Sequence, residues 1–155
     1  MKLLLTLIMF PILCYGQYSQ YDVYVMDGSS HNEYDYNSNS NFEDEIVYLK
    51  LTDEPVTGSI TSYTMDKSKK VTPFLNGLRH GQKQSYYQDN KTLFSTINYI
   101  KGSGEGWLKS YHKNGKLAQK VFYISGCKDG NEEFYDSFGM FSRVNVWSNC
   151  RRVRK

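Results

Sequence analysis

The sequence predicts an all-β fold: an elongated antiparallel array of stacked β-hairpins, about four units of about 24 residues each. Three observations predict it. Glycines recur at Gly58, Gly81, Gly106 and Gly130, spaced 23, 25 and 24 residues apart. A tyrosine follows each glycine by five residues, at Tyr63, Tyr86, Tyr111 and Tyr135. Two turn signals then recur in every unit. The first, nine residues after the glycine, is Lys67, Asn90, Gly115 or Gly139. The second, about twenty after it, is Asn76-Gly77, Lys101-Gly102, Ser125-Gly126 or Asn149-Cys150.

Each unit reads as a strand, a turn, a second strand and a second turn, which is a hairpin with its connector. Asn114-Gly115 and Asn76-Gly77 suit turns of positive φ, which glycine adopts without steric cost. Side chains alternate across a strand. Trp107, Lys109 and Tyr111 therefore share one face, and Leu108, Ser110 and His112 the other. The tyrosine recurs on one face in every unit. Stacked hairpins are expected to bring the four rings into a ladder, as a structural core or as an aromatic binding surface. A single hairpin is marginal in water, so the array must be stabilised by contacts between neighbours. No segment shows an amphipathic helical period.

Before the array, the chain divides by composition. Residues 1–16 read as a secretory signal peptide. Lys2 is the basic start, Leu3 to Leu13 is apolar except for Thr6 and Pro11, and Cys14-Tyr15-Gly16 precedes the expected cut before Gln17. About 11 apolar residues are too few to span a bilayer, which takes ~20. Leu13 before Cys14 argues against a lipidation signal. Residues 17–45 form an acidic segment rich in Tyr, Asn and Ser. Within it, Gln17 to Met26 suggests a strand pair and Ser29 to Asn41 a polar linker. Residues 46–150 hold the array, with Ile46 to Leu51 as one more strand capping it. Residues 151–155 are a basic tail.

Composition bounds the function. Of 155 residues, 39% are hydrophobic and 15% aromatic, which argues against wholesale disorder. The mean hydropathy of −0.61 excludes a polytopic membrane protein. Residues 17–49 carry seven acidic and no basic side chains, and residues 50–155 carry 18 basic and nine acidic ones. Such asymmetry fits either a solvated surface or a basic face that meets anionic groups. Export makes a nucleic-acid partner unexpected.

No catalytic pattern emerges. His31, His80 and His112 lack metal-ligand spacing. Ser85 and Ser110 lack the strained turn of a nucleophile. Glu132 and Glu133, like Asp53 and Glu54, are adjacent, so on a strand they point to opposite faces and form no acid pair. Gly102-Ser-Gly104 leads into a strand and not a phosphate-binding helix. The expectation is a non-catalytic chain with no metal and no cofactor. Cys127 and Cys150 occupy nearly equivalent connector positions. In an oxidising compartment they are a candidate disulfide. Free or intermolecularly paired thiols are the alternatives. Equivalent positions two strands apart lie ~9.5 Å from one another, beyond the ~4.4–6.8 Å Cα range of a bridge, so pairing needs a connector that bends inward.

The pattern Gly-x(4)-Tyr, Asn-Gly-Lys-Leu, an aromatic, then x-Gly-x-x-(His/Asp/Glu)-Gly resembles the MORN repeat, in particular its bacterial variant labelled YwqK-type antitoxin. The stretches that carry the resemblance are Pro55-Val-Thr-Gly58, Asn76-Gly-Leu-Arg-His-Gly81, Tyr111-His-Lys-Asn-Gly-Lys-Leu117 and Gly126-Cys-Lys-Asp-Gly130. It implies a twisted array of hairpins that acts as a scaffold for proteins or acidic phospholipids, with an antitoxin-like or immunity-like role as one form. The expected function is an exported protein-binding scaffold with an unidentified protein partner. The alternative is a peripheral binder of anionic lipid or envelope through the basic repeat face.

Overall fold

The computed structural model describes residues 16–27, 30–33 and 46–153. The expected leader (apart from Gly16), linker residues 34–45 and the last two residues of the basic tail lie outside the described residues. The strands are β1 (Gly16–Ser19), β2 (Val23–Asp27), β3 (Ser30–Glu33), β4 (Val47–Leu49), β5 (Gly58–Tyr63), β6 (Lys69–Leu75), β7 (Leu78–Arg79), β8 (Gly81–Tyr86), β9 (Leu93–Ile100), β10 (Ser103–Tyr111), β11 (Leu117–Ile124), β12 (Cys127–Tyr135), β13 (Phe141–Ser148) and β14 (Arg151–Val153). A single 3-10 turn, Gln20–Asp22, is the only helical element among the described residues. The fold is all-β, as expected.

The large sheet runs β1-β5-β6-β8-β9-β10-β11-β12-β13-β14, with β7 also paired to β6. It is antiparallel except for β1, which pairs in parallel with β5. Each unit closes its hairpin in the same way. The amide of the turn residue donates three residues back, from Lys67 to Thr64 (2.8 Å), Asn90 to Tyr87 (2.8 Å), Gly115 to His112 (2.8 Å) and Gly139 to Asp136 (2.9 Å). All four donors have positive φ, at 64°, 57°, 81° and 85°. This is a tight turn followed by a left-handed residue.

The connectors are equally regular. Both residues of Asn76-Gly77, Lys101-Gly102, Ser125-Gly126 and Asn149-Cys150 have positive φ, the signature of a two-residue type I′ hairpin. The second residue then donates back along the chain: Gly77 to Val56 O (2.8 Å), just ahead of the first unit, and, each to the unit before it, Gly102 to Arg79 O (2.9 Å), Gly126 to Gly104 O (2.9 Å) and Cys150 to Lys128 O (3.2 Å). Successive connectors therefore stack through backbone bonds. At Gly77 the approach is close enough to demand glycine, because a Cβ would lie 2.3 Å from Ile46 Cγ2.

The N-terminal region departs from expectation in three places. Gln17 to Met26 yields two strands that do not pair with one another. The Ser19 side chain and Asp22 cap the intervening 3-10 turn, with Ser19 N 2.8 Å from Asp22 Oδ2, and the turn directs β2 away from β1 into a separate sheet. Ile46 to Leu51 contributes β4 to that sheet, ordered β3-β2-β4, and not to the array. Its backbone is taken by β2 on one side and by Gly77 O, 2.9 Å from Val47 N, on the other. Part of the expected linker, Ser30–Glu33, forms β3. The core lies where these pieces meet β5 and β6. Val23, Val47, Val56, Ile60 and Phe74 are buried there, with Tyr18 and Leu49 packed against them.

Candidate functional site

Strand register divides the array into two faces with different chemistry. One row crosses the strands through Tyr63, Lys69, Tyr86, Leu93, Tyr111, Leu117, Tyr135 and Phe141. The four predicted tyrosines thus share a face, each at the C-terminal end of its strand. They do not stack ring on ring. Two tyrosines of successive units are two strands apart, ~9.5 Å, and the intervening strand inserts its own side chain. The Lys69 ammonium sits 4.2 Å from the centre of the Tyr86 ring, and Tyr135 meets Phe141 edge to face at 6.1 Å. Tyr63, at the first unit, is 48% exposed, while Tyr86, Tyr111 and Tyr135 are partly buried.

Further along the same face, Trp107 packs edge to face on Phe122 at 5.1 Å and lies beneath the Lys120 ammonium. Lys120 in turn pairs with Glu133 at 3.1 Å, and the Tyr135 hydroxyl donates to that carboxylate. In the two middle units the residue after the tyrosine ties one unit to the next. The Tyr87 hydroxyl donates to Tyr111 O at 2.7 Å, and His112 Nε2 meets Tyr135 O at 3.0 Å. The turns are also laced together, by Asn114 Nδ2 to Ser137 O and Lys116 Nζ to Phe138 O, both 2.7 Å. His112 is thus a tether between units. His80 lies in the short interval between β7 and β8, its amide bonded to Pro73 O at 2.9 Å. His31 is in β3.

The opposite face carries a row of hydroxyls that the repeat pattern left unmarked. Register aligns Ser62, Lys70, Ser85, Ser95, Ser110, Gln119, Phe134 and Arg143. The recurring Ser-Tyr pairs at Ser62-Tyr63, Ser85-Tyr86 and Ser110-Tyr111 were the available signal. Alternation puts a serine behind each of the first three tyrosines, and Phe134 takes that place beside Tyr135. At its C-terminal end this face buries Glu132, 3% exposed. Its carboxylate accepts from Gln119 Nε2 (2.8 Å) and Lys128 Nζ at one oxygen, and from Asn145 Nδ2 (2.8 Å) and Trp147 Nε1 (2.9 Å) at the other. Lys128 also lies 4.6 Å from the centre of the Trp147 ring. Glu133 points the other way, as alternation requires.

All nine repeat glycines named from the sequence (Gly58, Gly77, Gly81, Gly102, Gly106, Gly115, Gly126, Gly130 and Gly139) have positive φ. At Gly106 and Gly130 an added Cβ would meet nothing within 4 Å, so the backbone conformation and not space accounts for the residue.

Cys127 and Cys150 form a disulfide, with Cα atoms 4.6 Å apart. The two-strand separation that opposed the bridge does not apply. The last connector docks by its Cys150 amide onto Lys128 O, next to Cys127, and Cys150 is one position out of phase with its counterpart.

Large apolar side chains concentrate at the solvent surface of the last hairpin: Phe138 is 77% exposed, Met140 68%, Phe141 59% and Val144 40%. No group of three or more His, Cys, Asp or Glu side chains gathers for a metal among the described residues. No protein-family model, curated protein or solved structure matches this chain.

Proposed function

We propose that this chain is an exported, non-catalytic, MORN-like repeat protein that serves as a protein-binding scaffold. The observation that carries this reading is the exposed apolar group Phe138, Met140, Phe141 and Val144. These side chains lie on one hairpin beside the tyrosine row, and exposed apolar side chains grouped in this way suit a contact site for a protein. The backing is fixed. Lys116 Nζ bonds Phe138 O, and the Asp136 carboxylate accepts from the Phe138 and Met140 amides at 2.9 Å each. A surface held this way loses little freedom on association. The disulfide fits an oxidising compartment, which supports residence in the periplasm, the envelope or the exterior; cleavage near Gly16 belongs to the same proposal. An antitoxin-like or immunity role is the form this scaffold takes if the captured protein is itself an exported toxin.

A second reading has its own support. Arg151 and Arg152 are exposed on the edge strand β14, suited to an anionic membrane or envelope surface. Basic residues near such a surface contribute ~1 kcal/mol each and are screened by salt. Affinity capture with residues 17–155 from cross-linked native cells separates the two. The scaffold reading expects a reproducible protein partner, lost on Phe138→Ser/Phe141→Ser at unchanged melting temperature. Recovery of membrane alone, abolished by 0.5 M salt or by truncation after Cys150, would establish the second reading instead.

A further inference from the structure

The serine face gathers cations where its first and second repeats meet. Lys70 on β6 is registered opposite Ser85 on β8, and Lys83 lies two residues earlier on the same face of β8. That makes Lys70 and Lys83 diagonal neighbours across one strand pair. Arg79 on β7 holds its guanidinium 4.5 Å from the centre of the Tyr99 ring, and Tyr99 stands opposite Gly81, which offers no side chain to cover it. Ile97 faces Lys83 from β9. Lys83 is partly buried, and the charges that bear on it, Lys70 and Arg79, are both positive. Burial first, and then these two cations, push its ammonium down from the ordinary lysine range to about 8.

A second observation lies beside the first. Ser62, registered opposite Lys70, is fully buried, and its hydroxyl has no hydrogen-bond partner among the described residues. Among the described residues no hydrogen bond or ion pair engages the Lys83 ammonium. Like charges and an unmet polar group at one place cost folding energy, and such local costs concentrate at binding sites.

We propose that Lys83, with Lys70 as its diagonal neighbour, forms an oxyanion site on the serine face that takes a carboxylate from an acidic segment of a protein partner. This rests on the scaffold reading and names the chemistry of the partner. A carboxylate placed there would offset the mutual repulsion and satisfy the ammonium, a charge-assisted contact. A protein segment suits the site better than a planar lipid surface does. Lys67, Lys91, Lys113 and Lys116 are exposed in the hairpin turns, where a flat surface would meet them before the partly buried Lys83. An extended segment can follow the face between strands.

The test uses residues 17–155 and three probes: an octaglutamate peptide, inorganic phosphate, and vesicles of phosphatidylserine in phosphatidylcholine. Octaglutamate is expected to raise the melting temperature of the wild type. Lys83→Met, which relieves the crowding of charge, is expected to melt higher than wild type without peptide and to bind octaglutamate about tenfold or more weakly. Lys83→Arg is expected to keep the response. Lys70→Met is expected to weaken it too, and carries the test if Lys83→Met does not fold. Equal peptide binding by wild type and Lys83→Met, or no response of the wild type, overturns the site. A response to phosphate or vesicles without one to octaglutamate overturns the carboxylate assignment. Failure here with partner capture still dependent on Phe138 and Phe141 removes this site and leaves the scaffold standing. Absence of any protein partner removes the scaffold.

Discussion

Removing the disulfide is expected to loosen the C-terminal end of the array before the rest. Cys127 and Cys150 are separated by 23 residues, and closing a loop of that length in the unfolded chain is worth about 3 kcal/mol in the chain-entropy account. For a domain of this size that is about 10 °C in melting temperature. The two cysteines also differ in backbone. Cys150 sits at φ 65°, where the three earlier connectors have glycine, and a side chain in the left-handed region costs about 1–2 kcal/mol. Cys127→Ala/Cys150→Ala is expected to show the full loss, and Cys127→Ala/Cys150→Gly to recover about 1 kcal/mol of it. Urea melts of both variants measure this. In an array with nearest-neighbour coupling the loss is local, so Trp147 fluorescence in a Trp107→Phe background should change at lower urea than far-ultraviolet circular dichroism. A double alanine variant that melts within 2 °C of wild type would show that the bridge adds nothing to the array.

The second large effect belongs to Glu132. Its carboxylate is buried and accepts four hydrogen bonds, one of them from the Lys128 ammonium. Glu132→Ala leaves a cation, an indole N–H and two amides facing a void, and breaking a buried pair on one side costs about 3–5 kcal/mol. Glu132→Gln keeps the shape but turns one acceptor atom into a donor among donors, so it is expected to be destabilised as well, by less. The acid dependence follows. Burial alone would raise the pKa of this carboxyl. Hydrogen bonds from Asn145, Lys128 and Trp147, with the Lys128 charge, outweigh burial and hold it at about 2.

The unfolded chain therefore binds a proton near pH 4.5 that the folded chain refuses until about pH 2. The contribution is intact above pH 4.5 and is lost as pH falls through that window, on the order of 3 kcal/mol in all. Asp66 and Asp89, held at about 2 by hydroxyl and amide donors in their turns, titrate over the same window. The measurement is accordingly the stability difference between wild type and Glu132→Gln, followed from pH 6 to pH 2. It should shrink steadily below pH 4.5. A difference that stays constant across the window would mean the carboxylate is not held in its ionised form.

What was legible in the sequence is what is encoded locally. A left-handed backbone position admits few residues, so the turns and connectors show in the chain as Gly, Asn and a few tolerated substitutes such as Lys67 and Lys101. A strand that ends at the same point in each unit shows as a recurring tyrosine. The two faces were legible in principle from alternation, yet the Ser62, Ser85 and Ser110 row went unread because serine carries no burial signal of its own. Glu132 was visible only as one of two adjacent acids. Its environment is built by Asn145 and Trp147 on the next strand, 13 and 15 residues away, and no local pattern distinguishes it from Glu133.

Long-range pairings were the least legible. β1 joins β5 across 42 residues, Gly16 against Gly58, through backbone contacts that leave little trace in side-chain pattern. The disulfide was arguable from spacing alone. Its geometry depended on the connectors stacking by backbone bonds, a property of the assembled array.

Both faces, the staple and the candidate sites depend on that stacking. The most direct test is native-state amide hydrogen exchange at the four connector donors, Gly77, Gly102, Gly126 and Cys150. Gly77 bonds to Val56 ahead of the first unit and the other three to the preceding unit, and all four are expected to be protected along with the strand amides of their hairpins. Exchange at these four positions at the rate of an unstructured chain, while the strands stay protected, would contradict a continuous array and leave separate hairpins in its place.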